Sequence, residues 1–219
     1  MNTKLTKVAL AISALVLTSL GCGAFSSLLG DGSLVKDDFS DSNSGWGTGT
    51  DTDSSVEYSN GGLQMLVFTP NYLTWSTPNA TDYENVHVEV TATHNDTNQT
   101  TAFGVICNGQ GVLASHYYFV ITPSGEYAIA KASVALSDVF LTNNDQWGTS
   151  DLIAENASSY RIGADCGNGT LILYVDGNQI ASVSDTTYTT GRVGVIAWSG
   201  DEAPSADVVF DDFVVTALK

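Results

Sequence analysis

"VFDDFVV", Val209 to Val215, lies close to the C-terminus of the 219-residue chain, and a near copy, "VKDDFSD", spans Val35 to Asp41. Four carboxylates bracketing a chain admit three readings: an acid/base pair, a metal cage, or two strands that close a fold. Adjacent residues of a regular strand point to opposite faces, so Asp211 and Asp212 do not both reach one site, and neither do Asp37 and Asp38. Because "VVFDDFVV" is apolar on both sides of its acidic pair, the strand is expected at the centre of a sheet with its aspartates partly buried. A buried carboxylate must be hydrogen-bonded or paired with a cation. Two readings stay open: closing strands whose carboxylates take backbone or side-chain donors, and a calcium ion shared by Asp37, Asp38, Asp211 and Asp212.

Outward from these copies the pattern is almost entirely of period two. "NVHVEVTA" sets Val86, Val88 and Val90 on one face and His87, Glu89 and Thr91 on the other. "TLILYVDG" and "GRVGVIAW" alternate less cleanly, as strands buried on both sides do. Turn signals separate such runs: "SNGG" at 59–62, "TPSGE" at 122–126, "GNG" at 167–169 and "DGN" at 176–178. Helical periodicity is missing beyond the N-terminal segment, and no fixed-period repeat emerges. The expectation is an all-β, antiparallel two-sheet sandwich over residues 34–219.

The N-terminal "MNTKLTKVALAISALVLTSLGCG" pairs Lys4 and Lys7 with an apolar run from Val8 to Leu17, the layout of a secretory signal over residues 1–21. Its end, "SLGC", resembles the lipobox of bacterial lipoproteins, which implies a lipid on Cys22 and a flexible tether over 22–33; an ordinary signal peptide cleaved nearby is the alternative. With Cys22 assigned to lipid, two cysteines remain. Cys107 in "GVICNG" and Cys166 in "IGADCGNG" each end an apolar alternating segment, which predicts a disulfide at the same end of neighbouring strands. The chain is then lipid-anchored on the extracytoplasmic side of a bacterial membrane, held there through the anchor alone.

The precursor carries 7 basic and 24 acidic residues, and loss of the two signal lysines leaves 5 against 24. Such a field repels nucleic acid and anionic lipid. With only 14% of residues charged, the surface is otherwise Ser, Thr, Asn and Gly, and the acidity reads as solubility before recognition.

The ordered series "DDFSDSNSGWG", "NYLTWSTP", "VHVEVTATH", "AFGVICNG", "HYYFVITPSGEYAIAK", "YRIGADCGNGTLILYVDGNQIASVSD", "TTGRVGVIAW" and "VVFDDFVV" resembles the concanavalin A-like lectin/glucanase superfamily, nearest to its laminin G-like or 3-keto-disaccharide-hydrolase-like jelly rolls. The resemblance covers about Leu34 to Leu218. It implies two stacked antiparallel sheets, a jelly roll, with the first and last strands adjacent. Glucanases of the superfamily carry a Glu-x-Asp-x-x-Glu or Glu-x-Asp-x-Glu strand, whose carboxylates share a face as nucleophile and acid/base. This chain has no such run; Glu89 stands alone and Glu126 belongs to a turn. A non-catalytic domain is therefore expected.

For a sugar ligand the useful chemistry is an aromatic face flanked by amides or carboxylates. Alternation in "SHYYFVITPSGEYAIAKA" puts His116, Tyr118 and Val120 on one side, with Ala128 and Ala130 beside them across the turn, leaving an open shelf. Trp75, Trp147 and Trp198 are candidates for its walls. His116, Tyr118 and the three tryptophans are thus the expected ligand-binding set, for carbohydrate or an envelope polymer. The alternatives are an adhesion or scaffold module binding envelope proteins, and a glycoside hydrolase built from carboxylates on distant strands.

Overall fold

The computed structural model describes residues 32–59, 61–111, 115–134, 136–201 and 205–219. The expected signal, Cys22 and the expected tether up to residue 31 lie outside the described residues, and Ser33, expected in the tether, already opens the first strand. The first strands are β1 (Ser33–Asp37), β2 (Gly49–Thr50), β3 (Ser54–Ser59), β4 (Gly62–Val67), β5 (Leu73–Ser76) and β6 (Tyr83–Glu84). Then come β7 (Val86–His94), β8 (Ala102–Gln110), β9 (Ser115–Ile121), β10 (Glu126–Ala132), β11 (Val139–Phe140) and β12 (Gly148–Thr149). The last are β13 (Tyr160–Gly167), β14 (Thr170–Val175), β15 (Asn178–Ser184), β16 (Thr190–Trp198) and β17 (Ala206–Ala217).

Two antiparallel sheets result, so the expected all-β sandwich is the observed one. Sheet A runs β15-β14-β13-β7-β17-β4-β3-β2, with β1 beside β17; sheet B runs β11-β10-β9-β8-β16-β5, with β12 on β10 and β6 on β16. Each quoted turn signal joins a hairpin. Asn168-Gly169 and Asp176-Gly177 hold positive φ at both central residues, as a two-residue hairpin loop requires.

Period-two patterning decides the faces. On β7, Val86, Val88, Val90 and Ala92 are buried while His87, Glu89 and Thr91 stay half-exposed. Strand β14 alternates as cleanly, Leu171, Leu173 and Val175 facing the core, which corrects its reading as a doubly buried strand. Strands β8, β9 and β16, and β10 at Ala128 to Ala130, are buried on both sides, because sheet B is covered on its outer face as well.

The acidic copies close the sandwich. Strand β1 pairs with β17 through Val35–Val215 and Asp37–Phe213. β17 is central, yet its two aspartates do not take opposite faces. Between Asp211–Thr91 and Val214–Glu89 the register with β7 slips, so Asp212 and Phe213 oppose a single residue. Asp212 sits at φ 49°, the geometry of a β-bulge. The extra residue lets Phe210 and Phe213 both enter the core while Asp211 stays half-buried and Asp212 is exposed.

Phe213 then meets Trp46 edge-on with ring centroids 4.8 Å apart, and Phe39, from the first copy, meets the same indole at 4.9 Å. Asp37 fixes that indole by accepting from Trp46 Nε1 at 2.9 Å and takes the Phe39 backbone N–H at 2.8 Å. Each copy thus supplies one phenylalanine to a shared tryptophan, and one aspartate holds it.

The disulfide forms between Cys107 and Cys166, but not on neighbouring strands of one sheet. Cys107 is on β8 of sheet B and Cys166 on β13 of sheet A, both fully buried, so the bridge staples the sheets across the core. Constraining the 59-residue separation removes about 4 kcal/mol of chain entropy from the unfolded state in the loop-closure account.

A polar network pins the segment between β15 and β16. Asp185 accepts from the Tyr117 hydroxyl, the Thr187 backbone N–H and, at 2.8 Å, Lys131 Nζ. Burial alone would raise the Asp185 carboxyl, but bonds from Lys131, Thr187 and Tyr117 outweigh it and hold the group well below the usual carboxylate range. Burial, reinforced by Asp185, pushes the Tyr117 phenol up to about 12.

Two outcomes follow from these contacts. Asp37→Ala is expected to lower the unfolding free energy by about 1–3 kcal/mol in urea titrations, since it strands a buried indole N–H, whereas Asp38→Ala, at an exposed position, leaves the midpoint in place. For Asp185 the folded value is depressed, so its stabilisation is complete above the unfolded value of about 4 and is lost as pH falls through and below it. Urea midpoints measured from pH 6 to pH 2 should therefore fall less steeply in Asp185→Asn than in the native chain.

Candidate functional site

The outer face of sheet B carries the aromatic residues. Its rows follow from the pairing: Leu73, Trp198 and Ala102 in one, Trp75, Ile196, Gly104, Val120 and Ala128 in the next, and Ile106, Tyr118, Ala130 and Phe140 beyond. The expected sidedness of His116, Tyr118 and Val120 opposite Tyr117, Phe119 and Ile121 is met, since only the latter three join the inter-sheet core.

The shelf itself is not open. β11 adds to β10 at Ala130 and Lys131, and Phe140 and Trp147 pack onto the face that the alanines leave low. Phe140 and Trp147 meet edge to face at 5.2 Å, and the Tyr118 hydroxyl donates to Asp138 at 3.0 Å. Tyr118 is left 7% exposed and His116 4%. Burial, with the Asp138 carboxylate beside it, drives the Tyr118 phenol far above its ordinary value. Tyr118 is thus part of the packing beneath a strap, residues 138–147, and the buried His116 ring lies beside it at 5.8 Å, so neither is a surface on which a ligand lies.

What remains accessible is the end of that strap. Trp147 and Trp198, both half-buried, stack with centroids 6.2 Å apart and planes 16° from parallel. Trp198 Nε1 donates to Asn71 at 3.2 Å, which fixes the ring. Against the pair lies a cavity of about 200 Å³ whose other walls are Thr100, Thr122, Glu126 and Asp201. An apolar pit of about 30 Å³, reaching down to Leu73 and Tyr118, continues beneath the two rings. The site therefore joins an aromatic surface to two hydroxyls and two carboxylates, a set that offers a ring-stacking face with hydrogen-bond acceptors at its rim.

Trp75 is elsewhere. It is 41% exposed on β5, the edge strand of sheet B, and lines a separate, wider cleft of about 450 Å³ with Thr50, Asp51 and Tyr72. The residues missed in the sequence are Glu126, Asp201, Thr100 and Thr122. Glu126 opens β10 and Asp201 follows β16, and only the pairing of β10 with β9, of β9 with β8 and of β8 with β16 brings those ends together. No local signal announces that.

The four aspartates of the acidic copies do not gather. Asp37 is engaged by Trp46 and Phe39, Asp38 by Ser40, and Asp211 takes the Asp212 N–H, while the Asp212 carbonyl accepts from Arg161. Among the described residues no group of three or more His, Cys, Asp or Glu side chains is placed to hold a metal ion, so the calcium reading finds no donor set here. His87 and His94 are each paired with an aspartate: His87 Nδ1 lies 2.6 Å from Asp165, and His94 Nε2 lies 2.9 Å from Asp96.

Comparison with solved structures names the architecture. Carbohydrate-binding module CBM66 from Bacillus subtilis superposes with a TM-score of 0.63 at 14% identity, over 79% of this chain and 96% of its own. A Bacillus licheniformis beta-glucanase gives 0.60 at 13%, over 84% and 98%. A protein of unknown function with a galectin-like fold from Bacillus subtilis gives 0.58 at 12%, over 84% and 95%. The fold is the concanavalin A-like jelly roll. No family model matches the sequence, and no curated protein matches it. Within this jelly roll, sheet B is the sheet whose outer face holds the stacked tryptophans.

Proposed function

We propose that this chain is a lipid-anchored, extracytoplasmic domain of a bacterial envelope that binds carbohydrate or an envelope polymer without cleaving it. The observation that carries the reading is the stacked Trp147–Trp198 pair walling a cavity with Glu126, Asp201, Thr100 and Thr122. A pyranose presents an apolar C–H face to an indole and a ring of hydroxyl donors to carboxylates and threonines, and the site offers both partners at once. Support also comes from the company of the fold, which includes a carbohydrate-binding module and glucanases. The buried inter-sheet disulfide suits an oxidising compartment outside the cytoplasm, in line with the lipobox-like "SLGC" at 19–22.

A second reading, glycoside hydrolysis, is favoured by one observation: two carboxylates from distant segments, Glu126 and Asp201, face one cavity. Hydrolysis needs them to flank a glycosidic bond as acid and base or nucleophile.

Glycan arrays and polysaccharide-gel retardation with the purified protein test the binding. Retention by at least one glycan is expected, weakened about tenfold or more by Trp198→Ala or Trp147→Ala and unchanged by chelator. Release of reducing ends, abolished by Glu126→Gln, would replace binding with hydrolysis. The anchor is read from the mass of the mature N-terminus, expected to be a diacylated or triacylated Cys22; an unmodified terminus would remove it.

A further inference from the structure

A second cavity lies at the other end of the sandwich. Glu84 pairs with Thr190 at the start of β16, whereas Trp198 ends that strand, so about 26 Å of strand separates this cavity from the tryptophan pair. Its volume is about 220 Å³, and Glu84, Asn85, Asn108, Asn168, Asp185 and Tyr188 are among its walls. The inter-sheet disulfide fixes it from below, since Asn108 follows Cys107 and Gly167, also in the wall, follows Cys166.

Asn108 is the telling residue. It is 3% exposed, its φ is 50°, and its amide Nδ2 donates to the Tyr188 carbonyl at 2.9 Å, yet its Oδ1 has no hydrogen-bond partner among the described residues. An acceptor buried to that degree is destabilising unless a donor reaches it. A wall that adds the Glu84 carboxylate asks for more donors still. The Asp185 carboxylate is already engaged by Lys131, Tyr117 and Thr187, so a metal ion placed against it would face the Lys131 ammonium.

A neutral, donor-rich molecule meets these conditions where a cation does not. The volume is below the range of about 300–1,000 Å³ typical of drug-sized ligands, which limits the occupant to roughly one ring. We propose that this cavity is a second binding site, independent of the tryptophan pair, for a single polyhydroxylated ring, a monosaccharide or cyclic polyol, with Asn108 Oδ1 and Glu84 accepting from its hydroxyls.

The test is saturation-transfer NMR and calorimetry on the full-length protein with glucose, galactose, N-acetylglucosamine and myo-inositol, and with calcium chloride in a parallel arm. At least one ring compound should bind, with affinity reduced about tenfold by Glu84→Ala and by Asn108→Ala, and unchanged by Trp198→Ala. Glu84 lies at the surface, so its variant keeps the measurement valid where Asn108→Ala lowers the melting temperature. Absence of binding by all four compounds, binding that survives both substitutions, or binding lost with Trp198 would overturn the proposal. So would a calcium affinity that disappears in Glu84→Ala, which would make the cavity a metal site.

Discussion

One indole holds the ends of the domain together. Trp46 is clasped between Phe39 and Phe213, residues 174 positions apart, and its N–H is fixed by Asp37. The chain must bring its first and last strands side by side to bury that ring, and once they are there, β17 stands between β7 on one side and β4 and β1 on the other. Sheet A is built around that strand. The bulge at Asp212 is the local adjustment that makes the clasp geometrically compatible with a continuous hydrophobic face, because it keeps both phenylalanines of "FDDF" inward.

Period-two patterning and turn chemistry were legible in the sequence because both are local. Val86, Val88 and Val90 had to share a face, and "GNG" and "DGN" had to turn. The pairing of Cys107 with Cys166 was legible too, but their placement was not: strand ends in two sheets give the same sequence pattern as strand ends in one. The bulge escaped notice for the opposite reason. Two adjacent aspartates between apolar runs read as an uninterrupted strand with one carboxylate per face, and only the register against β7 reveals the extra residue.

The site was partly legible. Trp147 and Trp198, aromatic residues beside polar loops, are legible as candidates, and the structure brings them together. The shelf expected beside Tyr118 is filled, because small residues at Ala128 and Ala130 leave the same space for a ligand ring as for the chain's own Phe140 and Trp147. The covered face explains why β8, β9 and β16 are apolar on both sides, and on that face it leaves the Trp147–Trp198 cavity at the strap's end. Glu126 and Asp201 put two carboxylates in that cavity's wall, and the overall net charge of −17 repels anions.

The chain's four tryptophans make the central claim directly measurable. Their indole N–H signals in a ¹⁵N–¹H correlation spectrum, followed while a retained polysaccharide is titrated in, report on four separate environments. The account predicts shifts at Trp147 and Trp198, with Trp46, locked on Asp37 in the core, unmoved. Shifts confined to Trp75, with the stacked pair silent, would contradict it and move recognition to the edge of sheet B.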